Sequence, residues 1–177
     1  MNRKEKLNYI ITGALIAAAY AGLTFLSNVT TLAYIPGPIQ LRFSEILTIL
    51  PVFTPAAIPG LTVGCFIANI GSFNAVDMIF GSVATLLAAL LTYMLKGIKI
   101  KGIPFLSFFM PVIVNALIIG LEIALFFLPE GASLWGFAIS AFEVGLGELI
   151  VCMIFGTILY LVLKKYRIFE KTFYKKR

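Results

Sequence analysis

Long apolar runs, broken by short polar stretches and edged by clusters of lysine and arginine, leave this chain little choice of solvent. A bilayer core about 30 Å thick takes about 20 apolar residues of helix to cross. The runs fall at about Leu7–Ser27, Phe43–Phe53, Ala56–Ile70, Val76–Leu95, Pro104–Leu128 and Leu134–Leu163. The second is too short to cross alone without bilayer thinning or burial against its neighbours. A water-soluble domain averages roughly 45–50% apolar and about 25% charged. Here the values are 60% and 12%, with a mean hydropathy of +1.02, so no polar exterior is left for a soluble fold. The expectation is an all-α integral membrane protein in the cell membrane, a bundle of six transmembrane helices forming one domain over residues 1–177. No A-x-A site precedes a mature soluble domain, so the first run is read as a span and not as a signal peptide.

The charges report orientation. Thirteen of the 14 basic residues sit at the edges of apolar runs, among them Arg3, Lys4, Lys6, Lys96, Lys99, Lys101, Lys164, Lys165 and Arg167; only Arg42 stands elsewhere. Six spans with both termini cytoplasmic place all 13 on one side, as the positive-inside rule requires. The polar segment Asn28–Gln40 then lies outside. It is long for a connection in so small a protein, and its Tyr34 and Pro36-Gly37-Pro38 make it a candidate lid.

Several functions are excluded by residue content. The chain has no histidine and only two cysteines, Cys65 and Cys152, which gives neither a zinc site nor a Cys-His nucleophile. No G-x-x-x-x-G-K-[ST] stretch occurs, so ATP cannot be bound here through a P-loop. The net charge of +6 is spent on membrane edges, and no nucleic-acid partner is expected. An intramembrane enzyme is the weakest reading, because no nucleophile and base stand at a workable spacing.

Small residues stripe the first run. Gly13 and Ala17, Ala14 and Ala18, Ala17 and Ala21, and Ala18 and Gly22 are each four apart, which lets another helix approach closely. Packing within the bundle and docking of another protein on Ala14 and Ala18 are both open at this point. For Gly60-x-x-x-Gly64 and Gly145-x-Gly147, packing within the bundle is the better account.

Ionisable groups inside a bilayer cost at least about 2.5–3.5 kcal/mol each on insertion scales, which makes each a functional candidate. Arg42 and Glu45, at i and i+3, are read as a structural ion pair. Asp77, Glu122, Glu143 and Glu148 have no cationic partner in sequence. At 1.5 Å per residue, Glu122 and Glu143 lie about 9 and 14 Å from the outer helix ends and Glu148 about 21 Å in. Asn115 and Glu122, seven apart, share a helix face, whereas Glu143 and Glu148, five apart, diverge by about 140°. A carboxylate accepts two parallel N–H bonds from a planar group, so a guanine-type edge, an amidine-like heterocycle or a cationic amine satisfies such acids and an anion does not. The candidate binding residues are therefore Glu148 and Glu122 first, then Asn115, Asn69 and Asp77, with Glu143 and Tyr34 behind them. Asn74 supplies a further amide, and Phe43, Phe73 and Trp135 are aromatic surfaces near the outer face, where membrane-belt anchoring is the alternative role. A proton relay through the acids is the other reading of the whole set.

Three stretches carry a family resemblance. They are Leu41-Arg42-Phe43-Ser44-Glu45-Ile46-Leu47 running on to Pro51; Phe53 to Leu61 with Gly64-Cys65-Phe66-Ile67-Ala68-Asn69; and Asp77-Met78-Ile79-Phe80-Gly81-Ser82-Val83-Ala84-Thr85. Together with Asn115, Glu122 and Gly147-Glu148, they resemble the queuosine precursor transporter family over nearly the whole chain. That family belongs to the S components of energy-coupling factor transporters. The resemblance implies a six-helix S-component-like fold that captures a 7-deazaguanine, such as queuine or its aminomethyl precursor, from outside. It further implies docking through an A-x-x-x-A face, here Ala14 and Ala18, on a transmembrane coupling subunit that works with two ATPase subunits. This chain would need no cofactor of its own, ATP being bound by those partners. An S component for another vitamin and a stand-alone proton-coupled carrier are the alternatives.

Overall fold

The computed structural model describes residues 2–29, 42–70, 75–129, 131–167 and 169, without the side chains of residues 28 and 29. The helices are α1 (Arg3–Val29), α2 (Phe43–Val52), α3 (Ala57–Ile70), α4 (Ala75–Leu95), α5 (Phe105–Phe126) and α6 (Leu134–Tyr166). No strand longer than an isolated bridge occurs among the described residues. Four stretches, Arg3–Ser27 of α1 and the whole of α4, α5 and α6, are long and apolar enough to cross a membrane. Their outward faces carry Ile10, Leu15, Ile79, Leu117, Phe142 and Ile158, all exposed, as a lipid-facing surface requires.

The expectation that the second run is short holds, and the third is short as well. α2 is wound as a 3-10 helix, whose 2.0 Å rise stretches ten residues to about 20 Å; the 14 residues of α3 reach about 21 Å. Thr54 and Pro55 make the turn between them, the Thr54 hydroxyl accepting from the Ala56 amide at 3.3 Å. The turn lies level with the start of α1, since the Tyr9 hydroxyl donates to the Pro55 carbonyl at 3.4 Å. A hairpin returns the chain to the side it left whether or not each arm crosses fully, so the alternation of the longer helices is unaffected.

Glycines set the helix pairing. A Cβ on Gly60 would lie 2.7 Å from the Gly13 carbonyl, and one on Gly64 would lie 2.8 Å from the Ala17 carbonyl. The two contacts advance together, so α1 and α3 run parallel with backbones touching. α5 and α6 run antiparallel, Gly120 facing Ala141 and Gly145 facing Ala116. α2 packs against all the other helices and forms the axis of the bundle.

Two irregularities have identifiable causes. Pro111 cannot donate to Ser107, and the carbonyl it frees accepts instead from the Thr92 hydroxyl of α4 at 3.1 Å. In α6 the segment Val151–Gly156 widens into a π-helix, a local underwinding that re-aims side chains and recurs at functional sites.

The basic flanks share one end. Tyr160 and Lys164 of α6 both donate to the Gly102 carbonyl, at 3.2 and 3.1 Å. The turn that presents it has Lys101 and Gly102 at φ of 51° and 80°, the two-residue hairpin class that favours glycine. Phe53 from the α2–α3 turn stacks on Phe169 and packs against Tyr160 at the same end.

Candidate functional site

Beside α2, side chains from several helices make a buried polar cluster in an otherwise apolar interior. Glu45 on α2 is 2% exposed, Glu122 on α5 1% and Glu148 on α6 6%. The Tyr20 hydroxyl, from α1, donates to Glu45 Oε1. Asn115 Nδ2 donates to Glu148 Oε1 at 3.0 Å and also interacts with Glu45, so the amide bridges α5, α6 and α2. Cys152, on the π-helical segment, donates to Glu148 Oε2 at 3.5 Å and lies 3.7 Å from both the Glu45 carbonyl and the Thr48 hydroxyl. Four residues beyond Glu148, Cys152 is aimed at α2 by that segment.

The acids fall into two pairs. Glu45 acts electrostatically on Glu148, and Asp77 on α4 acts on Glu122. Arg42 is near enough to act on Glu45, Glu122 and Glu148 alike. Arg42 does act on Glu45, as its place three residues away suggests, but not on Glu45 alone. Glu45 Oε1 is held by Tyr20 while Oε2 has no hydrogen-bond partner, and Arg42 is a cation shared by three carboxylates. The reason is non-local. Proximity in sequence favours Arg42, but the parallel packing of α1 on α3 delivers the hydroxyl of Tyr20, 25 residues away.

Two acceptors in the cluster are unfilled: Glu45 Oε2 and Glu122 Oε1 are both buried and accept no hydrogen bond. A buried polar atom in this state costs about 1–3 kcal/mol, so the arrangement is poised for a molecule that brings N–H donors. Its acids outnumber its single described cation, and an anion would meet the wrong charge.

Of the sequence candidates, Glu148, Glu122 and Asn115 converge here, and Asp77 joins them through Glu122. Asn69 sits at the α3–α4 end, donating to the Asp77 carbonyl at 2.9 Å, and so ties down the first turn of α4. Gly81 leaves room for this amide, since a Cβ there would lie 2.8 Å from Asn69 Nδ2 and the Asn69 side chain would have to shift. Glu143 is half-buried on α6, and no described contact joins it to the cluster. Phe43 packs edge-on against Phe155 with centroids 6.0 Å apart, and Trp135 is 76% exposed. Tyr34, Phe73, Asn74 and the segment 30–40 lie outside the described residues. The small-residue stripe of α1 resolves into two ridges. Ala17 and Ala21 are buried, and with Gly13 they face α3 or the bundle interior; Ala14, Ala18 and Gly22 are exposed, and a Cβ on Gly22 would meet nothing within 4 Å.

Sequence reasoning missed Tyr20, Thr48 and Cys152 as members of the cluster. Tyr20 had a signal, being a bulky hydroxyl inside a run of small residues. Cys152 had one too, four residues along the helix from Glu148.

A bundle of long lipid-exposed helices around a buried polar cluster defines a multi-pass membrane protein with a candidate ligand site in its interior. Comparison with known sequences makes this specific: the model of the QueT transporter family matches residues 10–165, and the chain belongs to that family. A protein of Lactococcus lactis subsp. cremoris (strain MG1363), named queuosine precursor transporter QueT, is 40% identical over 84 residues, which are 48% of this chain and 48% of that relative. The match therefore spans about half the length of each. No solved structure matches the chain.

Proposed function

We propose that this chain is the ligand-capturing S component of an energy-coupling factor importer, and that its ligand is a 7-deazaguanine precursor of queuosine. The observation that carries the reading is the pair of buried carboxylate oxygens without donors, in a family of queuosine-precursor transporters. A 7-deazaguanine supplies N1–H and an exocyclic amine on one edge, and the queuosine precursors with an aminomethyl arm add a cation. The exposed Ala14/Ala18/Gly22 ridge is the docking face for the coupling subunit on this reading, with two ATPase subunits supplying the energy. The basic end faces the cytoplasm on this reading.

The test is a binding screen of the purified full-length chain against 7-deazaguanines and B vitamins, paired with uptake into liposomes. Affinity for a deazaguanine, and uptake only when coupling and ATPase subunits are co-reconstituted, are the expected results. Preference for a B vitamin refutes the substrate assignment, and uptake by the chain alone refutes the S-component role in favour of a stand-alone carrier.

A further inference from the structure

The two acid pairs are held together by different chemistry. Around Glu45 and Glu148 the described donors are neutral groups: Tyr20 on Glu45, and Asn115 and Cys152 on Glu148. Asp77 and Glu122 instead hydrogen-bond each other directly. An ionised carboxyl can only accept, so a hydrogen bond between two carboxyls exists only while one of them holds a proton. Asp77 lies in the first turn of α4, where the helix dipole favours negative charge, and Asn69 fixes that turn through the Asp77 carbonyl. The proton therefore belongs to Glu122, which is buried with its Oε1 unfilled, while Asp77 is only half-buried. Little nearby can take the proton's place. The titratable and charged groups in this half of the helices packed against α4 and α5 are Arg42 and Glu45 at α2, Cys65 on α3, and Glu143, Glu148 and Cys152 on α6. Those of α4 and α6 from Tyr93 and Tyr160 onward lie at the basic end. Of the six, Arg42 alone acts on Glu122, and its charge is divided with Glu45 and Glu148.

Building on the reading that the ligand is a queuosine precursor with a cationic arm, we infer that Asp77 and Glu122 hold one proton between them in the empty protein and that capture of the cationic ligand expels it. A ligand N–H that reaches Glu122 Oε1, with the ligand's positive charge beside it, favours the ionised carboxylate. The Glu122 O–H bond breaks, the proton passes to Asp77 and from there to water, and the ligand replaces it as the donor to Glu122. One cation enters and one proton leaves, so the buried site carries the same net charge empty and filled. A neutral ligand brings donors without the charge and drives no such exchange.

Titration calorimetry on the full-length chain in nanodiscs, run in buffers of different ionisation enthalpy, counts the protons exchanged on binding. The probes are 7-aminomethyl-7-deazaguanine, a cation, and 7-deazaguanine, which is neutral. The cationic probe should release about one proton and gain about tenfold in affinity per pH unit while the pair is protonated, since binding that releases a proton is favoured as pH rises. The neutral probe should release almost none and hold its affinity over the same range. Asp77→Asn gives Glu122 an amide donor that has no proton to lose, and the release should vanish. Binding of the cationic probe without release, equal release by both probes, or release from Asp77→Asn as large as from the parent overturns the inference and leaves the deazaguanine reading standing. Where Asp77→Asn does not bind, the infrared band of a buried protonated carboxyl in the unliganded protein decides: it should be weaker in Glu122→Gln than in the parent, and equal bands overturn the inference. Failure of the unsubstituted protein to bind either probe overturns the deazaguanine reading itself, and the inference with it.

Discussion

Gly64→Ala tests whether the α1–α3 contact both holds the bundle together and sets the site. The added Cβ would lie 2.8 Å from the Ala17 carbonyl oxygen, 2.8 Å from Tyr20 Cβ and 3.0 Å from Ala17 Cα. Two of these three atoms are backbone, and the third is fixed directly to it, so no side-chain rotation relieves the clash. Ordinary contact begins at 3.4 Å, so the helices must part by roughly 0.6 Å. Overpacking of this kind costs about 1–3 kcal/mol, here at the upper end, against about 1 kcal/mol gained in helix propensity. The net loss is about 2 kcal/mol, or about 4–8 °C in melting midpoint for a chain of this size. Gly22→Ala is the control: with no atom within 4 Å of the new Cβ, only the propensity gain remains and the midpoint should not fall. Gly60→Ala should destabilise like Gly64→Ala, because its Cβ would lie 2.7 Å from the Gly13 carbonyl. It leaves Tyr20 untouched, however, so ligand affinity should drop further in Gly64→Ala than in Gly60→Ala. Thermal unfolding in detergent followed by Trp135 fluorescence, with calorimetry for the ligand, gives both readouts. A Gly64→Ala protein as stable as the parent, or a Gly22→Ala protein equally damaged, would refute the packing argument.

Four further outcomes are expected. Glu122→Met removes a buried carboxyl whose Oε1 is unfilled and which hydrogen-bonds Asp77; ligand binding should disappear in calorimetry while the far-UV helical signal is kept, and undiminished binding would remove Glu122 from the site. Thr92→Val should cost about 1 kcal/mol by orphaning the Ser107 carbonyl, and the cost should shrink in a Pro111→Ala background, where residue 111 regains its amide; equal costs in both backgrounds would disconnect the two residues. Lys99→Cys should react with an impermeant maleimide only in inverted vesicles, the native cysteines both being buried; labelling of intact cells would reverse the topology. Ala18→Trp, on the exposed ridge of α1, should leave the melting midpoint and ligand affinity unchanged and abolish uptake in the reconstituted complex, and undiminished uptake would remove that ridge from the docking surface.

Much of the architecture was legible because a bilayer reads hydropathy directly. The six runs became six helical segments, and the described lysines and arginines of the flanks gathered at one end through contacts such as Lys164 to Gly102. The acids Glu122 and Glu148 and the amide Asn115 could be found because an ionisable or strongly polar group in an apolar run announces itself by cost alone. What sequence could not convey was partnership across long separations. Arg42 stands three residues from Glu45, but Glu45 is claimed by a hydroxyl on another helix. The 3-10 winding of α2 and the π-helical segment of α6 also leave no periodic mark, since both are local responses to the packing around them.

The first helix shows why local pattern stops short of assignment. Its small residues satisfy the four-residue spacing on two neighbouring ridges, Gly13/Ala17/Ala21 and Ala14/Ala18/Gly22, and helix periodicity gives no reason to choose between them. The choice is made on α3, where Gly60 and Gly64 have the same spacing and remove the two Cβ atoms that would keep Gly13 and Ala17 away. Once those four positions interlock, Tyr20 is swung toward Glu45, and the adjacent ridge is turned out of the bundle. One backbone contact thus fixes a member of the buried polar cluster on one side of α1 and leaves a smooth, uncovered small-residue surface on the other. Displacing that contact should therefore disturb ligand capture and partner docking together, whereas changes confined to the Ala14/Ala18 ridge should disturb docking alone.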